Sequence, residues 1–217
     1  MSHIKLVIFD LDGTLMNAYP AVEQSINYTL KKLGYARRDF DTIRRSVGWG
    51  DSRLLKKFVG EERLKAALKI YRPHHARALK TGTRLLPGAG AVLKRLKKSG
   101  YSLAVASNRP TRFSLIAVKH LKVRKFFDYI LCADKLKKGK PSPVILRRIL
   151  KRFSLKPREA FYVGDMDIDV IAGKRANIRT IAVLTGSCSR AQIARLRPYK
   201  IFNDISSVPG FLKELNA

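Results

Sequence analysis

The chain has 217 residues, 46% of them apolar and 9% aromatic, enough to bury a sizeable core and unlike the composition of a disordered polypeptide. Its 45 Lys and Arg against 16 Asp and Glu leave a formal charge of +29, a field that attracts polyanions but supplies too few acids for extended ion-pair networks. The basic residues run from Lys5 to Lys213 without a like-charge tail, so a diffusely basic surface accounts for them better than a dedicated nucleic-acid-binding stripe.

Residues 4–9 form an apolar run that ends against Asp10 and Asp12, too short and too quickly acidic for a secretion signal or a membrane span. From about Met16 to Thr83 there is no strand-like run. Helical spacing appears instead at Val22, Ile26, Leu30 and Leu33, then at Leu64, Leu68 and Tyr71. Tyr19-Pro20 at one edge, and Gly82 through Pro87-Gly88 at the other, act as breakers and suit two hinge strands. Residues 1–15 and 84–217 are therefore expected to form one domain and residues 16–83 an all-helical cap inserted into it.

Beyond the insertion, apolar runs at 102–106, 129–132, 161–163 and 180–184 have the length of buried parallel strands. Amphipathic stretches separate them, at Val92, Leu93 and Leu96 and at Val144, Ile145, Ile149 and Leu150. This alternation predicts an α/β core around a Rossmann-like parallel sheet. Cys132 and Cys188 stand apart with no metal-ligand spacing, which fits a soluble protein of the reducing cytoplasm.

Ligands of open parallel sheets gather at the carboxyl ends of the strands, and the residues there form a set. Asp10 and Asp12 are two apart on an extended segment, so both face the same side; the following Gly13 permits a tight turn, and an Asp-Gly turn without chemistry is the plainer alternative. Ser107 and Asn108 follow the second run, where capping a helix is the more frequent use of such a pair. Lys140 stands in Gly139-Lys140-Pro141-Ser142-Pro143, with Lys138 as its alternative. Asp165 and Asp169 are four apart, one helical turn, and so share a face, although carboxylates also serve helix N-termini.

Together the strings Phe9-Asp10-Leu11-Asp12-Gly13-Thr14-Leu15, Ser107-Asn108, Gly139-Lys140-Pro141 and Gly164-Asp165-Met166-Asp167-Ile168-Asp169 resemble, in order, the four signatures of the haloacid dehalogenase superfamily. The insertion matches the helical cap of its phosphoglycolate-phosphatase-like branch. The resemblance implies Asp10 as nucleophile and Asp12 as general acid and base, with a Ser107, Asn108 and Lys140 phosphate site. It further implies Mg²⁺ held by Asp10, the backbone carbonyl of Asp12, Asp165 and Asp169. Four carboxylates facing a phosphate dianion need a cation to screen them, and hard oxygen ligands suit Mg²⁺. An acid two residues after the nucleophile argues for attack on phosphorus, since members that attack carbon lack it.

In the cap, Gly48-Trp49-Gly50-Asp51-Ser52-Arg53 resembles the branch's specificity loop. Gly50 would offer backbone N–H groups and Arg53 a cation; the alternative is that Trp49 packs the cap while Asp51 or Ser52 caps a helix. His74 and His75 lack partners at ligand spacing and receive no role. The expectation is a Mg²⁺-dependent phosphatase for a small phosphorylated metabolite resembling phosphoglycolate, acting through an aspartyl-phosphate, as a monomer or homodimer. A phosphosugar mutase, a pyrophosphatase and a polynucleotide phosphatase remain alternatives, the last on charge alone.

Overall fold

The computed structural model describes residues 3–216; residues 1, 2 and 217 of the expected core lie outside the described residues. Five apolar runs become parallel strands: β1 (Leu6–Phe9), β4 (Ser102–Ser107), β5 (Tyr129–Cys132), β6 (Ala160–Gly164) and β7 (Arg179–Val183), joined at one edge by β8 (Lys200–Phe202). Their order, β5-β4-β1-β6-β7-β8, leaves β1 in the middle. Both faces are covered, which is why these strands read as continuous apolar runs. Val7, Phe9, Val105 and Val163 point to the side covered by α5 (Ala89–Lys98), α6 (Thr111–His120) and α10 (Val208–Asn216). Leu6, Ile8, Ala104 and Tyr162 point to the side of α7 (Val144–Phe153) and α8 (Asp167–Ala176). α9 (Arg190–Arg195) packs Ile193 against Ala182 near β8.

Helices α1 (Tyr19–Lys32), α2 (Phe40–Arg44), α3 (Asp51–Val59) and α4 (Leu64–Ala78) form the inserted cap. They bury their own cluster, centred on Val22, Ile26, Leu30, Leu55, Phe58 and Tyr71. Phe113 of α6 joins that cluster and Ile116 packs against it, so this helix gives the core an apolar foothold in the cap. The insertion leaves and re-enters the sheet domain through β2 (Met16–Asn17) and β3 (Arg84–Leu85), an antiparallel pair in which Met16 faces Leu85. Pro20 does not break a helix, as the sequence suggested. It lies in the first turn of α1, where a missing N–H costs nothing and φ is already helical.

Candidate active site

In the central register Phe9 lies level with Val105 and with Val163. Asp10, Ser107 and Asp165 consequently emerge side by side where β1, β4 and β6 end. Here the chain order reverses across the sheet, the place where α/β sheets open a crevice.

Lys140 organises the floor of this crevice. Its Nζ donates to Asp169 Oδ1 at 2.7 Å and to Tyr162 Oη at 2.9 Å, and it lies 2.8 Å from Asp10 Oδ1 as an ion pair. All of this is buried. Burial alone would lower the lysine pKa, but Asp10 and Asp169 outweigh it and push the ammonium up. Lys140 is held in place from behind, because its N–H donates to Asn108 Oδ1 at 2.8 Å and Asn108 Nδ2 donates back to its carbonyl at 3.0 Å. Asn108 Nδ2 also donates to Gly48 O at 2.9 Å, which ties the cap loop to the same corner.

Three carboxylates converge beside the lysine. Asp10, Asp165 and Asp169 each offer an oxygen within 4.8 Å of the others. Asp165 and Asp169 do not meet as two positions on one helical face, as their spacing suggested. Asp165 precedes α8, while Asp169 in its first turn folds back and accepts from the N–H groups of Asp165 at 3.2 Å and Met166 at 3.0 Å. Asp165 Oδ1 accepts from Thr14 at 2.8 Å, whereas its buried Oδ2 has no hydrogen-bond partner. A Cβ on Gly186 would lie 1.7 Å from that oxygen, and one on Gly13, whose φ is +78°, 2.4 Å. Two glycines thus leave the carboxylate just enough room.

One lysine does not neutralise three buried acids. Burial raises the Asp10 pKa to about 6 against the lowering pull of Lys140. Burial, then Asp169 and Asp10, lift Asp165 well above the carboxylate range. An orphaned buried oxygen, uncompensated charge and an all-oxygen donor set fit a divalent cation. The Asp12 side chain is not in this cluster. It turns to Arg109, whose Nε and Nη2 reach its two oxygens at 2.9 and 2.5 Å.

Ser107 ends β4, and its Oγ accepts from the Arg109 N–H at 3.2 Å. It does not cap α6, whose first residue follows Pro110. Above the floor, the cavity is walled by the cap with Val22, Val47, Leu54, Tyr71 and His75, and by Phe113. His75, given no role from sequence, stacks on Tyr71 with ring centroids 4.8 Å apart and meets the Phe113 edge at 4.9 Å. Burial, then Arg109, holds it neutral. Gly50 lines this cavity, but Arg53 does not; its guanidinium lies over the exposed Trp49 ring, 5.4 Å from the centroid, and faces the outer clefts. Trp49 therefore does not pack the cap interior. Neither Asp51 nor Ser52 caps α3 through its side chain, since Gly50 occupies that position and Asp51 accepts from Arg72 Nε at 2.8 Å.

Sequence reasoning passed over Tyr162 and Arg109. Tyr162 was hidden inside an apolar run, and Arg109 was one cation among 45 Lys and Arg, although it directly follows Ser107-Asn108. Among the described residues no helix is long and apolar enough to cross a membrane.

Comparison with known proteins agrees with this geometry. A family model described as haloacid dehalogenase-like hydrolase matches residues 7–183. Phosphoglycolate phosphatase 1 of Pseudomonas aeruginosa is 30% identical over 93% of this chain and 77% of its own length. The phosphoglycolate phosphatase of Psychrobacter arcticus is 30% identical over 96% and 95%. A crystal structure described as a predicted phosphoglycolate phosphatase from Haemophilus somnus superposes with a TM-score of 0.91 at 27% identity, over 97% of this chain and 99% of that one. The chain belongs to the haloacid dehalogenase-like hydrolases, in their phosphoglycolate-phosphatase-like branch, and is a phosphoric monoester hydrolase of that type.

Proposed function

We propose that the protein hydrolyses a small phosphomonoester resembling phosphoglycolate, with Mg²⁺ bound and with Asp10 carrying the phosphoryl group between two displacements. The observation that carries this reading is the buried junction of Asp10 with Asp165, Asp169 and Lys140, next to a second acid, Asp12, that stands outside the cluster.

Asp10, Asp165, Asp169 and the backbone carbonyl of Asp12 would hold the Mg²⁺ ion, which supplies charge screening and Lewis acidity when bound. An Asp10 oxygen forms a bond to phosphorus as the bond to the ester oxygen breaks, and Asp12 gives that oxygen its proton. Asp12 then takes a proton from water, the hydroxide forms a new bond to phosphorus, and the Asp10 carboxylate leaves. Ser107, the Asn108 N–H and Lys140 hold the phosphoryl oxygens, where negative charge spreads during transfer. Residues 16–83 act as the cap over residues 1–15 and 84–217, with Gly50 facing the substrate and Arg53 standing at the mouth as a guiding cation.

Enclosure supports a small leaving group: Val47, Leu54 and Tyr71 of the cap, with Phe113, wall the cavity above the carboxylates. The names of the relatives support phosphoglycolate as the type of substrate, and the free Cys132 and Cys188 suit a reducing cytoplasm.

The test is phosphate release from phosphoglycolate, hexose phosphates, nucleotides, pyrophosphate and an end-phosphorylated oligonucleotide, with Mg²⁺ and with a chelator. Mg²⁺-dependent turnover led by the smallest acidic ester is expected. Turnover of the oligonucleotide alone would replace this reading with one founded on the +29 charge; dependence on a sugar bisphosphate activator would replace it with mutase chemistry.

A further inference from the structure

Arg109 carries more capacity than the hydrolytic site so far uses. It stands on the loop between β4 and α6 with 8% of its surface exposed. Nε and Nη2 are spent on Asp12, whereas the buried Nη1 has no partner. Leaving a buried donor of a charged group unsatisfied is costly. Such a group makes sense where a ligand completes it.

We propose that this free edge of Arg109 receives a carboxylate carried by the leaving group, on the carbon next to the ester oxygen, and so selects phosphorylated 2-hydroxy acids; this rests on the phosphatase reading above. Among the described residues lining the inner cavity, Arg109 and Lys140 are the only Lys or Arg side chains. Lys140 is committed to Asp10, Asp169 and Tyr162. An anionic group beyond the phosphoryl therefore has one cation to meet.

Placement agrees with charge. Asp12 is the acid assigned to the leaving oxygen, and Arg109 both grips Asp12 and lines the same cavity, which puts its guanidinium on the leaving-group side. A guanidinium is a planar fork with two usable edges: Nε with Nη2 serves Asp12, and Nη1 with the other face of Nη2 presents a second pair to a carboxylate. The surrounding wall strengthens the contact. Phe113, Tyr71, Val47 and Leu54 are apolar or aromatic, and His75 is held uncharged, so the pairing takes place at low local dielectric. The other acid of this wall, Asp51, is occupied by Arg72 at 2.8 Å. Arg53, the cation suggested by sequence, points at Trp49 and the outer clefts instead.

The experiment compares kcat/KM for phosphoglycolate and ethyl phosphate, which have the same two-carbon skeleton and differ in the carboxylate. It is run in the wild-type enzyme, Arg109→Gln and Arg109→Lys, each with Mg²⁺ and each checked for folding by circular dichroism. In the wild type phosphoglycolate should be preferred. In Arg109→Gln the ratio of the two kcat/KM values should fall by about 100-fold, the worth of a charge-assisted hydrogen-bond pair, mainly through KM for phosphoglycolate. Arg109→Lys, which keeps the charge without the fork, should fall in between and also serves if the glutamine variant does not fold. Equal losses for both esters would show that Arg109 only positions Asp12 and would overturn the proposal, as would an unchanged ratio. A wild-type enzyme that hydrolyses neither ester would defeat the underlying phosphatase reading instead.

Discussion

The floor of the site and its roof solve opposite problems. On the floor, Asp10, Asp165, Asp169, Lys140 and Tyr162 concentrate charge in a fully buried space, held by backbone N–H groups, Thr14 and two glycines that admit no side chain. The roof is apolar, made of Val22, Val47 and Leu54 with the stacked pair Tyr71 and His75, and its histidine is kept neutral. The floor can stabilise charge that moves onto phosphorus because its donors are already oriented. The roof makes those interactions stronger by excluding water, and it selects by size and by the few polar groups it leaves open. On the proposed reading, chemistry therefore belongs to the sheet ends, and choice of leaving group to the cap and the Arg109 loop.

Substitutions can break that division. On the floor, Asp10→Asn should have the largest effect, a loss of kcat of at least about 10⁴-fold, with circular dichroism unchanged. Residual turnover near the wild-type rate would place the nucleophile elsewhere. Lys140→Met should follow, lowering kcat by about 10²–10³-fold as one oriented donor is removed. A pure KM effect there would contradict the view that Lys140 acts on the transferring group.

Ion binding should couple to pH through the same floor. Without metal the Asp10 pKa is pushed up to about 6 by burial, above its unfolded value, so its stabilising share is complete below the unfolded pKa and is lost as pH rises through about 6. The chelated protein should therefore melt lower at pH 7.5 than at pH 5. Added Mg²⁺ should raise the melting temperature more at pH 7.5, by roughly 5 °C, since each kcal/mol moves a domain of this size by about 2–4 °C. An ion effect independent of pH would mean that the carboxylates do not bind it. At the mouth, Arg53→Ala should be mildest, changing kcat/KM less than about fivefold and only at low ionic strength. A large, salt-independent loss would move Arg53 from the rim into the site.

Much of the floor was legible in the sequence because its residues sit directly after strands, and strands that are buried on both faces declare themselves as apolar runs. Asp10, Ser107 and Asp165 follow from that rule alone. The cap was legible as an interruption of it, through the helical spacing of Val22, Ile26 and Leu30. What escaped depends on three-dimensional closure. Tyr162 alternates into the core side of β6, and only the arrival of Lys140 from a distant loop makes its hydroxyl useful. β8 is a three-residue edge strand, Lys-Ile-Phe, too short to show a pattern. Arg109 escaped because, among so many cations, none is distinguished by type; its burial against Asp12 is what sets it apart. The spacing of Asp165 and Asp169 led to the right cluster by the wrong geometry, since a carboxylate at a helix start can fold back onto the preceding loop.

The central claim, two successive displacements at phosphorus with Asp10 carrying the group between them, is tested most directly by the stereochemistry of transfer. A phosphomonoester made chiral at phosphorus with oxygen isotopes would be turned over with Mg²⁺ in isotopically labelled water and the configuration of the released phosphate determined. Two in-line displacements each invert the centre, so net retention is the expected result. Net inversion would mean that water attacks the ester directly, and Asp10 would then be a ligand or a base and not the nucleophile.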